Sequence, residues 1–374
     1  MMSYFEKDLK KLGFGLMRLP MIDEAVDIEQ TKQMVDLFME KGFTYFDTAY
    51  GYIDGKSEIA AKEALVDRYP RESFQLATKL PAWAGANTAK EAKNMFFTSL
   101  ERTQAGYFDF YLLHNLGDNR TKYFDDYGIW EFLEEQKEKG LIRHLGFSFH
   151  DKADELDKIL TKHPEMEFVQ LQINYADWES KTVESRKCYE VARKHNKPII
   201  IMEPVKGGSL SNLPDNIAKI LMEENETASL SSWAIRFAAS LDGIVTVLSG
   251  MSTLDQMKDN LSYMDAFVPL DANEKETVKK VQQALSQIPS IPCTDCQYCM
   301  KGCPQQIVIP KIFGAMNNYL TYNNLQGAKG NYKWETRNGG TASQCIECGQ
   351  CEDACPQHIH IVDELKRATK ILER

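Results

Sequence analysis

Residues 43–80 read FTYFDTAYGYIDGKSEIAAKEALVDRYPRESFQLATKL, in which two short apolar runs flank an amphipathic stretch. The outer runs, FTYFDTA and FQLATKL, have the length and composition of buried strands. Between them, SEIAAKEALV carries apolar residues at the spacing of one helix face. This order predicts two parallel strands joined by a helical crossover.

The same alternation extends over the first 270 residues. Six further strand-like runs bring the number to eight: KLGFGLMRL, FDFYLLH, IRHLGFSF, FVQLQINY, PIIIMEP and GIVTVLSG. Amphipathic stretches such as EQTKQMVDLFMEKG separate them, and several end in Lys-Gly, as helix C-termini do. Eight such repeats predict a closed (β/α)8 TIM barrel, an α/β fold of about 250 residues. An open doubly wound sheet is the alternative, but the G-x-G-x-x-G motif of its nucleotide site is absent after the first strand.

Length, composition and charge narrow the function classes. The chain has 374 residues, of which 43% are apolar, enough for a large core and two or three domains. Its formal net charge of −10 argues against a general nucleic-acid or anionic-membrane surface. The N-terminal stretch MMSYFEKDLKKLG lacks the apolar segment of a secretory signal, and no apolar run has the length of a membrane span. We therefore expect a cytoplasmic protein with no nucleic-acid or membrane partner.

Eight of the nine cysteines lie in two similar blocks near the C-terminus. CTDCQYCMKGCP begins at Cys293 and CIECGQCEDACP begins at Cys345, an offset of 52 residues (345 − 293), and both follow C-x2-C-x2-C-x3-C-P. In a reducing compartment such cysteines favour metal or redox chemistry over disulfides. Three close cysteines can bind three iron corners of one cubane cluster, and in two-cluster ferredoxins the fourth completes the other cluster.

The repeat therefore predicts two [4Fe–4S] clusters with crossed ligands. One cluster is assigned Cys293, Cys296, Cys299 and Cys355. The other is assigned Cys345, Cys348, Cys351 and Cys303. Structural zinc is the alternative, although zinc sites usually pair two distant C-x2-C knuckles. Because SQIPSIP, before the first block, indicates a domain edge, we predict a barrel over 1–270, a linker or helix over 271–292 and a small, mainly α-helical dicluster ferredoxin-like domain over 293–374.

Four polar side chains come at or just after the ends of three successive predicted strands: Asp47, Tyr52, Lys79 and His114. In a barrel, the carboxyl ends of the strands form the rim where catalytic residues lie. A phenol titrates near ~10, a neighbouring ammonium lowers that pKa, and a carboxylate can hold the ammonium in place. An imidazole can orient a carbonyl group. The set suits protonation of a carbonyl oxygen while hydride adds to its carbon, whereas each residue alone could equally be a turn cap, a loop aromatic or a surface group.

With these motifs, residues 1 to about 270 resemble the aldo-keto reductases, which are NAD(P)H-dependent barrel enzymes. The likeness runs through GFGLMRLP, FDTAYGY, ATKL, YLLH, GFSF, VQLQINY, IMEPVKGGSL and LSGMSTLDQMKDNL. It implies that Tyr52 is the proton donor, that Lys79 and Asp47 tune it, and that His114 orients a small carbonyl or alcohol substrate. The cysteine-rich tail resembles the ferredoxin-like domain that a subset of this family carries.

The resemblance also implies contacts with the nicotinamide cofactor. Ser148 and Gln172 match residues that bind the carboxamide, and Phe149 stands where an asparagine often follows the serine. The other expected cofactor contacts are Arg18, Met202, Lys206, Gly207, Gly208, Ser209, Gln256 and Asn260.

Some of these positions have alternatives or carry further expectations. A surface salt bridge is the alternative for Arg18, and strand packing is the alternative for Met202. The four residues 206–209 follow the seventh predicted strand, where barrels often bind phosphate through small residues and backbone N–H groups. Gly250 and Gln256 stand where NADP-preferring members usually place Lys or Arg. Without that cation we expect weak discrimination between the two nicotinamides, or a lean towards NADH.

The clusters admit more than one role. In one role they relay single electrons to or from the active site or a redox partner protein. In the other they stabilise the C-terminal tail of about 80 residues, which has only a modest apolar core. A function of another class, an electron-transfer or docking protein on a non-catalytic barrel scaffold, is disfavoured by the complete set of four rim residues. The sequence thus predicts an NAD(P)H-dependent oxidoreductase with two [4Fe–4S] clusters.

Overall fold

A computed structural model of the chain describes residues 9–117, 120–181, 183–293, 295, 297–355 and 357–374. By their contacts these residues form two compact units. The first unit comprises the chain up to Pro204 together with Ser232–Asp271, and the second comprises Val205–Ser231 and Ala272–Arg374. The domain limits at residues 270 and 292 stay a prediction, and the segment Val205–Ser231 groups with the C-terminal residues.

The first unit is a closed barrel of parallel strands. The strands of the described chain are β1 Leu12–Gly15, β2 Met21–Ile22, β3 Ala25–Val26, β4 Tyr45–Asp47, β5 Gln75–Leu80, β6 Phe108–Leu116, β7 Ile142–Phe149, β8 Phe168–Gln172, β9 Ile199–Met202 and β10 Ile244–Ser249. The barrel order is β1-β10-β9-β8-β7-β6-β5-β4, with β4 pairing back to β1, while β2 and β3 form a separate antiparallel hairpin. The predicted (β/α)8 barrel is confirmed, and the open sheet is excluded.

Helices follow the strands of the barrel and make up most of the second unit. They are α1 Ile28–Glu40, α2 Lys56–Ala61, α3 Ala89–Thr103, α4 Thr121–Asp126, α5 Ile129–Glu138, α6 Ala153–Lys162, α7 Ser185–Lys194, α8 Asp215–Glu224, α9 Leu230–Ala239, α10 Leu254–Met264, α11 Ala272–Ser286, α12 Tyr298–Lys301, α13 Ile309–Tyr322, α14 Leu325–Glu335, α15 Gln350–Asp353 and α16 Ile361–Leu372. Side chains of Asp27, Thr88 and Thr253 accept hydrogen bonds from the first turns of α1, α3 and α10 and so fix where these helices begin. In the described part of the chain, no helix is both long and apolar enough to cross a membrane.

Large aromatic side chains fill the barrel interior. The rings of Tyr45 and Phe168 lie 5.0 Å and 5.3 Å from that of Phe110, centroid to centroid. Each buried ring of this kind stabilises the fold by about 1.5–3 kcal/mol. The packing leaves no room at Gly146, where a Cβ would lie 2.4 Å from the backbone oxygen of Phe168. A larger residue at that position would push β7 and β8 apart.

Strand β6 is irregular at its carboxyl end. Its pairing with β7 shifts register between Leu113 and Leu116, and Asn115 has a left-handed φ of 62°. Such irregularities commonly re-aim side chains at barrel rims. Here the irregular stretch contains His114, the imidazole expected at the site.

The second unit is mainly helical, as predicted for the C-terminal region. Its core contains Ile312, Phe313 and Met316 of α13, together with Leu365 and Ala368 of α16, all of them almost fully buried. The cysteine blocks lie around this core, partly on the short helices α12 and α15. The cysteines are therefore presented by loops and single turns anchored to longer helices.

Candidate active site

Three of the four predicted rim residues come from neighbouring barrel strands. Asp47 is the last residue of β4, Lys79 is the last but one of β5, and His114 lies in the irregular end of β6. Strands β4, β5 and β6 pair in parallel, so these positions share the carboxyl end of the barrel. That they act together as one catalytic site stays a prediction.

Lys79 and Asp47 form a buried ion pair. The two residues are 1% and 2% exposed, and the Lys79 ammonium contacts Asp47 Oδ1 and donates to the Thr48 backbone oxygen at 2.7 Å. Burial acts to lower the pKa of Lys79, but the Asp47 carboxylate and Tyr52 outweigh it, so the pKa lies above its usual value. The ammonium therefore stays charged at neutral pH. For Asp47 the effect of burial is the larger one. Burial raises the pKa of its carboxyl, and the Lys79 charge, which lowers that pKa, does not outweigh it.

Tyr52 completes the group from a short 3-10 turn, Tyr52–Gly55. Its ring centroid lies 4.9 Å from Lys79 Nζ and 5.7 Å from the centroid of the His114 imidazole. Burial raises the pKa of Tyr52, and Lys79 opposes this without reversing it. The net direction is opposite to the lowering expected from the sequence, because desolvation outweighs the lysine. The phenol therefore remains protonated at neutral pH, as a proton donor must.

The His114 imidazole is neutral. Burial, together with the positive charge of Lys79, holds its pKa well below the usual value. Its backbone oxygen accepts a hydrogen bond from Trp83 Nε1 at 2.8 Å, which fixes the strand end. Its Nδ1 atom is buried and has no hydrogen-bond partner within the described residues. A neutral imidazole in this place can donate one N–H and accept at its other nitrogen.

The predicted carboxamide contacts lie at the ends of the next strands. Ser148 is buried near the end of β7, and its Oγ accepts from the Asn115 backbone N–H at 2.8 Å. Gln172 ends β8, donates from Nε2 to Asp177 at 3.1 Å, and pairs in register with Met202, the half-buried last residue of β9. Sequence reasoning missed Asn115, whose Oδ1 is buried without a partner in the part of the chain described. The feature of the sequence that could have identified Asn115 is its position directly after His114.

Arg18 forms the surface salt bridge that was its alternative. Its guanidinium lies 3.5 Å from Glu203 Oε1, and its side chain is 46% exposed. The stem of Arg18 also packs beside Gly250, since a Cβ built there would lie 3.4 Å from Arg18 Cδ. Arg18 thus places a cation beside Gly250, which is one of the two positions, 250 and 256, that themselves carry no Lys or Arg.

The two expected cofactor contacts that follow the eighth barrel strand, Gln256 and Asn260, both form hydrogen bonds within the protein. Gln256 Oε1 accepts from the Ser252 backbone N–H at 2.7 Å. Asn260 is 3% exposed; its Nδ2 donates to Ser249 at 2.7 Å and its Oδ1 accepts from the Tyr263 hydroxyl at 2.6 Å. These two bonds leave the Asn260 amide one further donor hydrogen and one further acceptor lone pair.

The last predicted cofactor segment lies in the second unit. Residues 206–209 belong to the 3-10 segment Lys206–Ser211, with left-handed φ angles of 62° at Gly207 and 93° at Gly208. A Cβ at Gly208 would meet nothing within 4 Å, so this turn presents open backbone. The Ser209 side chain, in contrast, is 1% exposed and engaged by two asparagines of the same unit.

The cysteines of the second unit line two cavities. One is lined by Cys303 together with Cys345, Cys348 and Cys351. The other is lined by Cys293, Cys299 and Cys355. Each cavity thus joins close cysteines of one block to the last cysteine of the other block. The remaining predicted ligand, Cys296, lies outside the described residues.

The described cysteines line cavities and do not converge on the position of a single metal ion. None of the cysteines that the structure describes is in a disulfide. Among the same residues, no three His, Cys, Asp or Glu side chains converge closely enough to hold one metal ion. A cubane cluster spreads four thiolates over four iron corners, and it needs a cavity walled by thiols.

Two family models match the chain. The model described as the aldo/keto reductase family matches residues 11–283, and the model described as a 4Fe-4S dicluster domain matches residues 292–359. An uncharacterized oxidoreductase of Bacillus subtilis is 22% identical over 290 residues, which is 69% of this chain and 88% of that protein.

Solved structures resemble the barrel. An aldo-keto reductase from Bacillus halodurans in its holo form is 27% identical with a TM-score of 0.60, covering 73% of this chain and 92% of that one. An aldo/keto reductase from Klebsiella pneumoniae in complex with NADP and acetate is 20% identical with a TM-score of 0.59 and the same coverage, a likeness of fold.

Proposed function

The chain belongs to the aldo/keto reductase family, and on that premise we propose that this oxidoreductase uses NAD(P)H to reduce a carbonyl group, or NAD(P)+ to oxidise an alcohol. The observation that supports this proposal is the proximity of a protonated phenol, a charged ammonium and a neutral imidazole at one end of the barrel. A bound nicotinamide supplies or accepts the hydride.

Tyr52 is the proton donor in this proposal. As hydride reaches the carbonyl carbon, negative charge grows on the carbonyl oxygen, and the Tyr52 hydroxyl transfers its proton there. Lys79 stabilises the resulting phenolate, because an ammonium beside a phenolate lowers its free energy. Asp47 holds Lys79 in place and keeps it charged. A positioned general acid typically contributes about 10²–10⁴ to a rate.

His114 orients the substrate in the same scheme. Because its pKa lies well below the usual value, it remains neutral and donates a hydrogen bond from its ring N–H without bringing a second positive charge to the site. In the alcohol-oxidising direction the same contact holds the hydroxyl whose proton Tyr52 takes. The aldehyde, ketone or alcohol involved is set by loops that vary freely on this fold.

The cofactor residues fit a polar ligand beside this site. His114 Nδ1 and Asn115 Oδ1 are buried polar atoms with no partner in the described chain, and buried polar groups normally have one. Ser148 and Gln172 are the proposed carboxamide contacts, and Met202 packs against the ring. Weak discrimination between NADH and NADPH, or a lean towards NADH, remains our expectation, and Arg18 beside Gly250 is the cation that would oppose it.

The C-terminal dicluster domain is proposed to hold two [4Fe–4S] clusters through the crossed sets of cysteines. The two cavities support this assignment, since each contains thiols from both blocks. Core residues such as Ile309 and Leu365 wall the cavities, which favours a stabilising role for the clusters. Cys348 is exposed, which favours electron exchange with a redox partner protein as a second role.

The test is anaerobic purification with iron and sulfide analysis, followed by a screen of aldehydes and ketones with NADH and with NADPH. We expect nucleotide binding and carbonyl turnover by the iron-loaded protein. A protein that binds neither nucleotide and reduces no carbonyl, yet exchanges electrons with a one-electron carrier, would contradict the proposal. It would then be an electron-transfer protein on a non-catalytic barrel scaffold.

A further inference from the structure

The loop of residues 50–55, which carries Tyr52, has an unusual backbone conformation. Ile53, Asp54 and Gly55 have left-handed φ angles of 50°, 53° and 84°, three in succession. A β-branched residue such as isoleucine rarely has a positive φ, because its Cβ then crowds a backbone carbonyl oxygen. Such a conformation persists only where the surrounding structure holds it. The Tyr52 phenol therefore belongs to a strained loop that needs support from outside.

Arg102, the last but one residue of α3, contacts this loop on both sides of Tyr52. Its Nη1 donates to the Tyr50 backbone oxygen at 2.8 Å, and its guanidinium lies 4.5 Å from the centroid of the Tyr50 ring. The guanidinium also lies against Gly55, where a Cβ would be 2.8 Å from Arg102 Cζ. A larger residue than glycine would thus displace the guanidinium from the loop.

A buried carboxylate fixes the Arg102 side chain in turn. Glu58 of α2 is fully buried, and its Oε2 accepts from Arg102 Nη1 at 3.2 Å. Its Oε1 accepts from the Thr78 hydroxyl at 2.7 Å. Thr78 precedes Lys79 in β5, and the Lys79 backbone oxygen accepts from the Tyr50 N–H at 3.2 Å. The network therefore connects the strand that carries the ammonium to the loop that carries the phenol.

We propose that Arg102 is a positioning residue for Tyr52. Its guanidinium holds the loop of residues 50–55 in place, and the loop keeps the Tyr52 hydroxyl beside Lys79 and His114. In this scheme Arg102 acts through the loop and does not contact the substrate. All the residues of the network belong to the barrel unit. The inference rests on the proposed function, because it presumes that Tyr52 gives up the proton.

The experiment measures single-turnover reduction by the iron-loaded full chain, with saturating NADH and the aldehyde or ketone that the substrate screen identifies. Arg102→Met should lower the rate about 10²-fold, the effect of a catalytic group displaced by about 1 Å. Arg102→Lys should have an intermediate rate, because lysine keeps a charge beside the Tyr50 ring but lacks the planar fork. The NADH Kd should be unchanged in both. Lys90→Met removes an exposed cation from the first turn of the same helix and should leave the rate unchanged.

A second variant separates positioning from general stability. Arg102→Met leaves the Glu58 carboxylate buried without its partner, so the melting temperature should fall. Arg102→Met combined with Glu58→Gln removes both charges, and the melting temperature should return towards that of the wild type. The rate should stay low, because the loop still lacks the guanidinium. If Arg102→Met alone does not fold, this double variant takes its place.

A double-mutant cycle with Tyr52→Phe tests whether Arg102 acts through the Tyr52 hydroxyl. Arg102→Met should slow the Tyr52→Phe protein by less than about twofold, because the group that Arg102 positions is already gone. A purely structural role would instead make the two losses multiply.

Several results would overturn the inference. One is a wild-type rate in Arg102→Met, and another is a rate that recovers together with stability when Glu58→Gln is added. Multiplied losses in the cycle with Tyr52→Phe, or a loss that appears only as a raised NADH Kd, would also do so. A wild-type rate in Tyr52→Phe would instead contradict the proposed function itself.

Discussion

The barrel and the cysteine-rich unit hold their candidate sites by different means. In the barrel, Asp47 and Lys79 are nearly fully buried at the ends of strands that are hydrogen-bonded on both sides. In the second unit, the cysteines lie on loops and on single-turn helices around two cavities. The barrel site thus depends on an ion pair and hydrogen bonds that the chain supplies. The shape of the thiol sites depends on the proposed iron–sulfur clusters. Substitutions of charged residues should therefore affect the barrel site, and substitutions of cysteines should affect the second unit.

The largest effect is expected at the buried ion pair. Lys79→Met leaves the Asp47 carboxylate buried without its partner, which should lower the free energy of unfolding by about 3–5 kcal/mol. It should also lower kcat/KM for carbonyl reduction about a thousandfold, because the phenolate of Tyr52 loses its stabilising charge. Urea unfolding and steady-state kinetics measure the two effects.

The matched control is the double variant Asp47→Asn with Lys79→Met. It removes both charges, so most of the lost stability should return while activity stays low. A single Lys79→Met variant as stable as the wild type would mean that the pair is not buried as described. Iron content should be unaffected in both variants if the barrel site is independent of the thiol sites.

The next effect concerns how the cysteines divide between the two cavities. Cys303→Ser should remove about half of the bound iron, since one of two clusters loses a ligand. Adding Cys345→Ser should cause no further loss, because both thiols line the same cavity. Adding Cys293→Ser instead should remove nearly all the iron. Iron and sulfide analysis of the anaerobically purified variants gives the answer.

The opposite pattern would contradict the crossed ligation. If Cys303→Ser with Cys293→Ser retains half of the iron, and Cys303→Ser with Cys345→Ser loses all of it, each block binds its own cluster. Carbonyl turnover per folded barrel should survive in the Cys303→Ser variant at saturating nucleotide. That result would separate the chemistry of the rim from the clusters.

A smaller effect should appear in the pH dependence of stability. The pKa of His114 is well below its usual value in the folded protein, so below about 6.5 the unfolded chain takes up a proton that the folded chain does not. The unfolded state then binds more protons, and stability falls as the pH drops. His114→Gln should make this acid-side decline shallower when urea midpoints are compared at pH 7 and pH 5. An equal decline in both proteins would show that His114 is not buried in neutral form.

The smallest effect is expected at Arg18. Its ion pair with Glu203 is largely exposed, and such pairs contribute about 0–1 kcal/mol. Arg18→Gln should therefore change stability little. Turnover ratios with NADPH and NADH should also change little if neither nucleotide is strongly preferred. A large loss confined to NADPH would identify Arg18 as the partner of the 2′-phosphate.

The sequence predicted those features that depend on neighbours along the chain. The alternation of strands and helices predicted the barrel, and Asp47, Lys79 and His114 were recognisable because each lies at or near the carboxyl end of a strand. Features that depend on distant contacts were missed. Ser209 meets residues 109 and 115 positions away. The raised pKa of Tyr52 follows from burial, which no local pattern reveals.

The central claim is that Tyr52 donates the proton, and the most direct test compares Tyr52→Phe with Tyr50→Phe, which removes a neighbouring hydroxyl from the same loop. Single-turnover reduction of a carbonyl is followed by nicotinamide absorbance with the nucleotide already bound. We predict a rate about 10²–10⁴ lower in Tyr52→Phe, with nucleotide Kd unchanged, and a nearly wild-type rate in Tyr50→Phe. A wild-type rate in Tyr52→Phe would contradict the account.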